Sequence, residues 1–139
     1  AAGLVEQGMS RLLVSSGSPY EKTVGYSRAV RVGNWISVAG TTAASGAKPV
    51  AIGDPESQTR AIFETIEQAL QDAGASLKDV VRTTVYLVDI AHFDAVSKVH
   101  GEVFGDIRPA NTTLAVTGFV SPDWLVEIAV DAIVAEASE

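Results

Sequence analysis

The chain has 139 residues, of which 47% are hydrophobic, and it contains no cysteine. This length and composition suit a single domain with a real core, and they exclude a disordered chain, a disulfide scaffold, a thiol nucleophile and a thiolate metal site. The formal net charge is -7 and the 10 Lys and Arg residues are dispersed, which argues against a nucleic-acid partner.

The start of the sequence resembles an expression remnant. Ala1 to Gly8 precede Met9, the only methionine, so we interpret residues 1–8 as a tag or vector remnant and residues 9–139 as a single domain. No apolar run is long enough to cross a bilayer, and no signal peptide is recognisable. We therefore expect a cytoplasmic protein without a membrane partner.

Three strands are predicted in the first third of the chain. Arg11 to Val14 has strand composition, and Tyr26 to Val32 and Trp35 to Ala39 flank Gly33-Asn34, a pairing typical of a β-hairpin. Residues 40–53 contain small residues and a proline, and we expect a loop there.

A helix is predicted to begin at Asp54-Pro55, since Asp caps free backbone amides and Pro is favoured at the first helical position. Gly74 is a natural end. Apolar residues at helical spacing predict the buried stripe, which comprises Ile62, Ile66, Ala69, Leu70 and Ala73. The opposite side carries Glu64, Gln68 and Asp72.

The second half of the chain predicts three more strands and one more helix. The strands are Val80 to Asp89, Asn111 to Thr117 and Leu125 to Ala135, and the helix spans Phe93 to Phe104 before Gly105. In the first of these strands we expect Val81, Val85 and Leu87 on one face. The helix should bury Phe93, Val96, Val99 and Val103.

The last strand has the clearest alternation. One face carries Val126, Ile128, Val130, Ala132 and Val134, and the other carries Leu125, Glu127, Ala129, Asp131 and Ile133. The order βββαβαββ predicts an α+β fold, with one mixed six-stranded sheet and two helices on one face. The second, partly apolar face is then free to meet another subunit, so we expect an oligomer with Glu127 at the subunit junction.

The order of several segments resembles the Rid family (reactive intermediate deaminase, also called YjgF-like or L-PSP-like). The matching segments are Gly25-Tyr26-Ser27-Arg28-Ala29-Val30, Val38-Ala39-Gly40-Thr41, Arg82-Thr83-Thr84-Val85-Tyr86, Arg108-Pro109-Ala110 and Val126-Glu127-Ile128. The resemblance implies a chorismate-mutase-like fold and a homotrimer whose sheets form a central barrel, with ligand clefts between subunits. Active members hydrolyse a 2-imino acid or enamine to a 2-keto acid and ammonia, without a cofactor.

The resemblance fails at one position that matters for this activity. Active members carry an arginine directly after Pro-Ala that grips the substrate carboxylate with two parallel hydrogen bonds. Here Asn111 follows Pro109-Ala110, and Asn has neither the charge nor the fork. Active members also have an asparagine in the cleft, and the corresponding position here lies near Ala91, so that contact is missing as well. We therefore expect weak or absent 2-imino acid deaminase activity.

The other cleft positions supply the candidate site residues. The resemblance implies catalytic roles for Glu127, which would position the attacking water, and Tyr26; the alternatives are a structural acid and an aromatic residue that fills an interface. Arg28, Asn111 and Thr112 are the candidate ligand-binding residues. Arg28 lies two residues after Tyr26 and should share its strand face. Arg28 could replace the missing charge or form an ion pair, and Asn111 and Thr112 could bind a neutral ligand or only the strand backbone.

No metal site is expected, because His92 and His100 lack HExxH or Cys/His spacing. His100 is interpreted as a packed helix residue rather than a base.

Two classes of function remain open. The first is an enzyme that hydrolyses a small imine or enamine, and the second is a non-catalytic, metabolite-binding or regulatory trimer. A ribonuclease activity, which an older family name implies, is disfavoured by the acidic charge.

Overall fold

The structure, a computed structural model, describes residues 10–135, so the interpretation of residues 1–8 lies outside the described part. The elements follow the chain as β1 (Arg11–Val14), β2 (Ala29–Val32), β3 (Trp35–Thr41), β4 (Ala44–Ser45), β5 (Lys48–Pro49), α1 (Pro55–Asp72), β6 (Val80–Leu87), α2 (Phe93–Phe104), β7 (Ala110–Ala115) and β8 (Val126–Ile133).

Six strands form one sheet in the order β1-β2-β3-β8-β6-β7. Only β6 and β7 pair in parallel, and the other neighbours are antiparallel, so the predicted mixed sheet of an α+β fold is confirmed. The remaining two strands, β4 and β5, form a small hairpin inside the segment that we expected to be a loop.

Both helices cover the same face of the sheet. The Asp54 side chain accepts a hydrogen bond from the Ser57 amide and caps α1, and Gly74 follows the helix with a positive φ of 86°. The expected stripe of α1 is buried, as are the helix-facing residues Val126, Ile128, Val130 and Ala132 of β8. Within residues 10–135, neither helix combines the length and apolar character needed to span a membrane.

Two apolar residues were assigned to the wrong side. Val81 is 44% exposed, because a register shift between Val80 and Arg82 against β8 turns it away from the core, and Val80 is buried instead. Phe93 is 46% exposed at the first turn of α2, whereas Phe104 at the end of that helix is buried.

A buried glutamine ties α1 to the start of β8. The Gln58 side chain is fully buried, accepts a hydrogen bond from the Leu125 amide at 2.9 Å and donates one to the Asp123 carbonyl at 2.8 Å. These bonds satisfy a polar group that would be costly to bury alone. They also fix the backbone two residues before Glu127.

The face of the sheet opposite the helices is not covered by the described residues. Apolar side chains from several strands are exposed on it, namely Leu13 (58%), Trp35 (57%), Ile133 (47%) and Leu114 (38%). We call this surface the open face. Glu127, Ala129 and Asp131 of β8 also point to it, as the alternation predicted.

Candidate functional site

A cavity of about 530 Å³ lies beside the carboxylate end of Glu127. It is bounded by the segment before β2, the chain after β3 and the turn before β8. Its lining is more apolar than polar and includes Tyr20, Val24, Tyr26, Arg28, Gly40, Thr41, Val120, Trp124 and Glu127. A largely apolar cavity with a few convergent polar groups is the usual form of a small-molecule site.

Glu127 is the acidic group of this cavity. Burial raises the pKa of its carboxyl, and the nearby positive charge of Arg28 offsets part of that rise. The carboxylate lies against Gly40, where a Cβ atom would overlap Oε2 of Glu127. A register shift between Val38 and Thr41 against β8 brings Gly40 there, so the bulge and the missing side chain together make room for the carboxylate.

Arg28 is the basic group of the cavity, and its residue is only 8% exposed. Its Nη1 donates to the Gly40 carbonyl at 3.0 Å and to Oγ1 of Thr41 at 2.8 Å. Its Nε is buried and has no hydrogen-bond acceptor within the described part of the chain. The guanidinium carbon lies 5.6 Å from the centre of the Tyr26 ring, within the range of a cation–π contact.

The structure therefore brings together three of the five predicted site residues, Tyr26, Arg28 and Glu127, around one cavity. Tyr26 and Arg28 lie in an extended segment just before β2 rather than inside the strand. Their two-residue separation still places both side chains beside the same cavity, as the sequence indicated.

Trp124 is a cavity residue that the sequence analysis did not identify. Its ring is largely buried and its Nε1 donates to the Ala43 carbonyl at 2.8 Å, which joins the turn before β8 to the chain after β3. A tryptophan directly after the Ser121-Pro122-Asp123 turn was the available signal, because buried indole groups need a hydrogen-bond partner.

Asn111 lies apart from this cavity in the same chain. It faces the helix side of β7, where its Nδ2 donates to Oγ1 of Thr83 at 2.9 Å. Oγ1 of Thr83 lies 2.8 Å from Nε2 of His100, so the threonine hydroxyl can donate to a neutral ring. Burial lowers the pKa of His100, which favours that neutral form. This edge encloses a separate small cavity of about 60 Å³.

The packed interpretation of His100 is confirmed, since its ring contacts those of Phe63 and Phe104 at centroid distances of 6.0 and 4.9 Å. Thr112 instead points to the open face, where its Oγ1 accepts from Nη1 of Arg82 at 3.3 Å. Within residues 10–135, no three His, Asp or Glu side chains cluster in a way that could hold a metal ion.

The fold and the cavity define a small α+β protein with an acid, an arginine and aromatic rings around one cavity. The sequence profile of the family described as Endoribonuclease L-PSP matches residues 17–134. The chain belongs to this family, which is the Rid or YjgF-like family that the sequence resemblance indicated.

Several relatives support this assignment. An uncharacterized protein of Streptomyces coelicolor is 41% identical over 119 residues, which cover 86% of this chain and 89% of that protein. The 3-aminoacrylate deaminase RutC of Acinetobacter baylyi is 45% identical over 80 residues, or 58% of this chain and 63% of that enzyme. The crystal structure of a YjgF/YER057c/UK114 family member from Mycobacterium tuberculosis superposes with a TM-score of 0.83 at 48% identity, covering 90% of this chain and all of that one.

Proposed function

We propose that the protein binds a small imine or enamine in the cavity beside Glu127 and hydrolyses it to a carbonyl compound and ammonia. The observation that carries this proposal is the carboxylate of Glu127, partly buried and directed at a cavity that Tyr26 and Arg28 also line. The similarity to a 3-aminoacrylate deaminase, whose named substrate is an enamine acid, supports the same reaction class.

The proposed chemistry needs one proton shuttle and no cofactor. An enamine first gains a proton at carbon and loses one from nitrogen, which gives the imine. The carboxylate of Glu127 then accepts a proton from water as the water oxygen bonds to the imine carbon, and the proton passes to the nitrogen. The hydroxyl proton of the resulting carbinolamine then moves to the nitrogen, the carbon–nitrogen bond breaks, and ammonia leaves as the carbonyl forms.

Ammonia release tests the proposal directly. We expect the protein to accelerate ammonia release from freshly generated 3-aminoacrylate above a no-protein control. With 2-aminoacrylate we expect less acceleration than an arginine-bearing relative gives when measured side by side, because Asn111 offers no carboxylate fork. A coupled glutamate dehydrogenase assay measures ammonia in both cases, with heat-denatured protein as a second control. No acceleration with either compound would contradict the catalytic proposal.

The second candidate function is non-catalytic binding of a metabolite by the same cavity. The placement of Asn111 favours it, because its amide is engaged with Thr83 on the helix side rather than directed into the cavity of its own chain. Saturable binding of 2-keto acids without any ammonia release from the two enamines would support this candidate over catalysis.

We also propose that the protein is a homotrimer in which the open faces pack around the threefold axis and the cavities lie at the subunit junctions. The exposed Leu13, Trp35 and Ile133 support this arrangement, since monomers rarely expose large apolar patches. Asn111 and Thr112 lie on the edge strand β7, from which a neighbouring subunit's copies would border the cavity.

Light scattering, which gives the mass of the assembly in solution, tests the proposed trimer. We expect a mass three times that of the 14.5 kDa chain at micromolar concentration, and an Ile133→Lys variant should shift the mass toward that of one chain. A wild-type mass of 14.5 kDa would refute the trimer.

A further inference from the structure

The guanidinium of Arg28 has binding capacity that the fold does not use. Only Nη1 has hydrogen-bond acceptors among residues 10–135, and both, the Gly40 carbonyl and the Thr41 hydroxyl, are neutral. Within those residues no carboxylate oxygen lies within 4 Å of the group. The carboxylates of Glu127 and Glu21 act on this charge only from beyond 4 Å. A buried charge without a directly paired carboxylate is costly, and such a group is suited to bind an anion.

The position of Arg28 places its guanidinium beside the cavity. The residue lines the cavity and is more than nine-tenths buried, and the Tyr26 ring beside it restricts where the guanidinium can lie. The Nη1 hydrogen bonds hold the group by one edge, so it is already ordered before a ligand binds. Preorganisation of this kind increases affinity, because little side-chain freedom is lost on binding.

Apolar surface predominates over polar surface in the cavity wall. The apolar part of the wall is formed by Tyr20, Val24, Val120 and Trp124. Its area exceeds that of the polar groups, which include those of Arg28 and Glu127. A three-carbon acid would fill only a small part of the volume of about 530 Å³. The cavity therefore has room for a ligand that carries both an anionic group and an apolar group of several carbons.

We propose that Arg28 binds the carboxylate of an imine or enamine acid. The apolar side chain of this acid packs against the part of the cavity wall formed by Tyr20, Val24, Val120 and Trp124. This inference rests on the proposed function for the reactive group and the acid, while the role of Arg28 and the larger apolar side chain go beyond it. Arg28 thereby selects acids over neutral ligands. It does so from a different position than the arginine of active family members, which directly follows Pro-Ala.

Binding of stable keto acids tests the inference without any turnover. Titration calorimetry compares 4-methyl-2-oxopentanoate, its neutral primary amide and pyruvate on the wild-type protein. We expect the acid to bind about tenfold or more tightly than its amide, because the carboxylate gains charge-assisted hydrogen bonds. It should also bind about tenfold or more tightly than pyruvate, because it buries more apolar surface.

Two variants assign the preference to Arg28. Arg28→Gln should bind the acid and the amide with similar affinity, and Arg28→Lys should keep part of the preference, because the charge remains but the fork is lost. Arg60→Gln is the matched control, since Arg60 is exposed and pairs with Glu56 and Glu102 away from the cavity. That control should bind all three ligands like the wild type.

The binding results test the role of Arg28, and the ammonia-release results test the catalytic proposal. Equal wild-type affinity for acid and amide overturns the inference even if Arg28→Gln fails to fold, and so does an undiminished preference for the acid in a folded Arg28→Gln protein. Tight, acid-specific binding without ammonia release from any enamine supports the role of Arg28 and contradicts only the catalytic proposal.

Discussion

Glu127→Gln is expected to lower kcat for imine or enamine hydrolysis by about 100-fold or more, while the affinity for a keto acid changes little. Glutamine fits the space against Gly40 but cannot accept a proton from water, and positioned general bases contribute about 10²–10⁴ in rate. Steady-state ammonia release gives kcat, and calorimetry gives the affinity. Glu67→Gln, an exposed position on α1, is the matched control and should keep full activity.

The same variant should remove one feature of the pH profile. Burial raises the pKa of Glu127, and the carboxylate is the active form. Activity is therefore present above this raised pKa and is lost as the pH falls through it, at a higher pH than an exposed glutamate would give. The Gln variant should lack this acidic limb. An unchanged kcat together with an unchanged profile would show that Glu127 is only a structural acid.

Gly40→Ala is expected to lower kcat/KM by about 100-fold. The new methyl group would overlap the Glu127 carboxylate and displace it from its place beside the cavity, and small misplacements of a reacting group are costly in rate. The carbonyl of residue 40 also holds Arg28, so the affinity for keto acids should fall as well. Gly118→Ala, where nothing lies within 4 Å of the added Cβ, is the control.

A double variant separates this local effect from general destabilisation. If Gly40→Ala acts by moving the carboxylate, adding Glu127→Gln should cost little further activity, because the two changes remove one shared interaction. Fully additive losses would point instead to damage elsewhere. Urea unfolding of each protein shows whether the folded state is retained.

Local sequence signals predicted most of the fold correctly. Asp54 and Gly74 delimited α1 because capping and helix ends depend on neighbouring residues. The alternation along β8 placed Glu127 on the open face because a period of two belongs to any half-buried strand. The exposed Val81 was missed, since a bulge depends on the partner strand rather than on the strand itself.

The site was only partly predictable, because its contacts join distant parts of the chain. Tyr26, Arg28 and Glu127 could be selected in advance, from the family resemblance and, for Arg28, from its two-residue spacing from Tyr26. The fit of Gly40 against Glu127 and the hydrogen bond from Trp124 to Ala43 could not, because each is created by the folded backbone. The direction of Asn111 followed from its parallel pairing with Thr83, which no local pattern reveals.

The two tryptophans of the protein lie in different environments and can serve as separate fluorescent reporters. The indole of Trp124 is buried in the cavity wall and should emit at short wavelength, and a ligand in contact with it should change its intensity. Trp35 is 57% exposed on the open face and should emit at long wavelength until another surface covers it. Trp35→Phe and Trp124→Phe would therefore give one optical signal for ligand entry and another for subunit association in the same unlabelled protein.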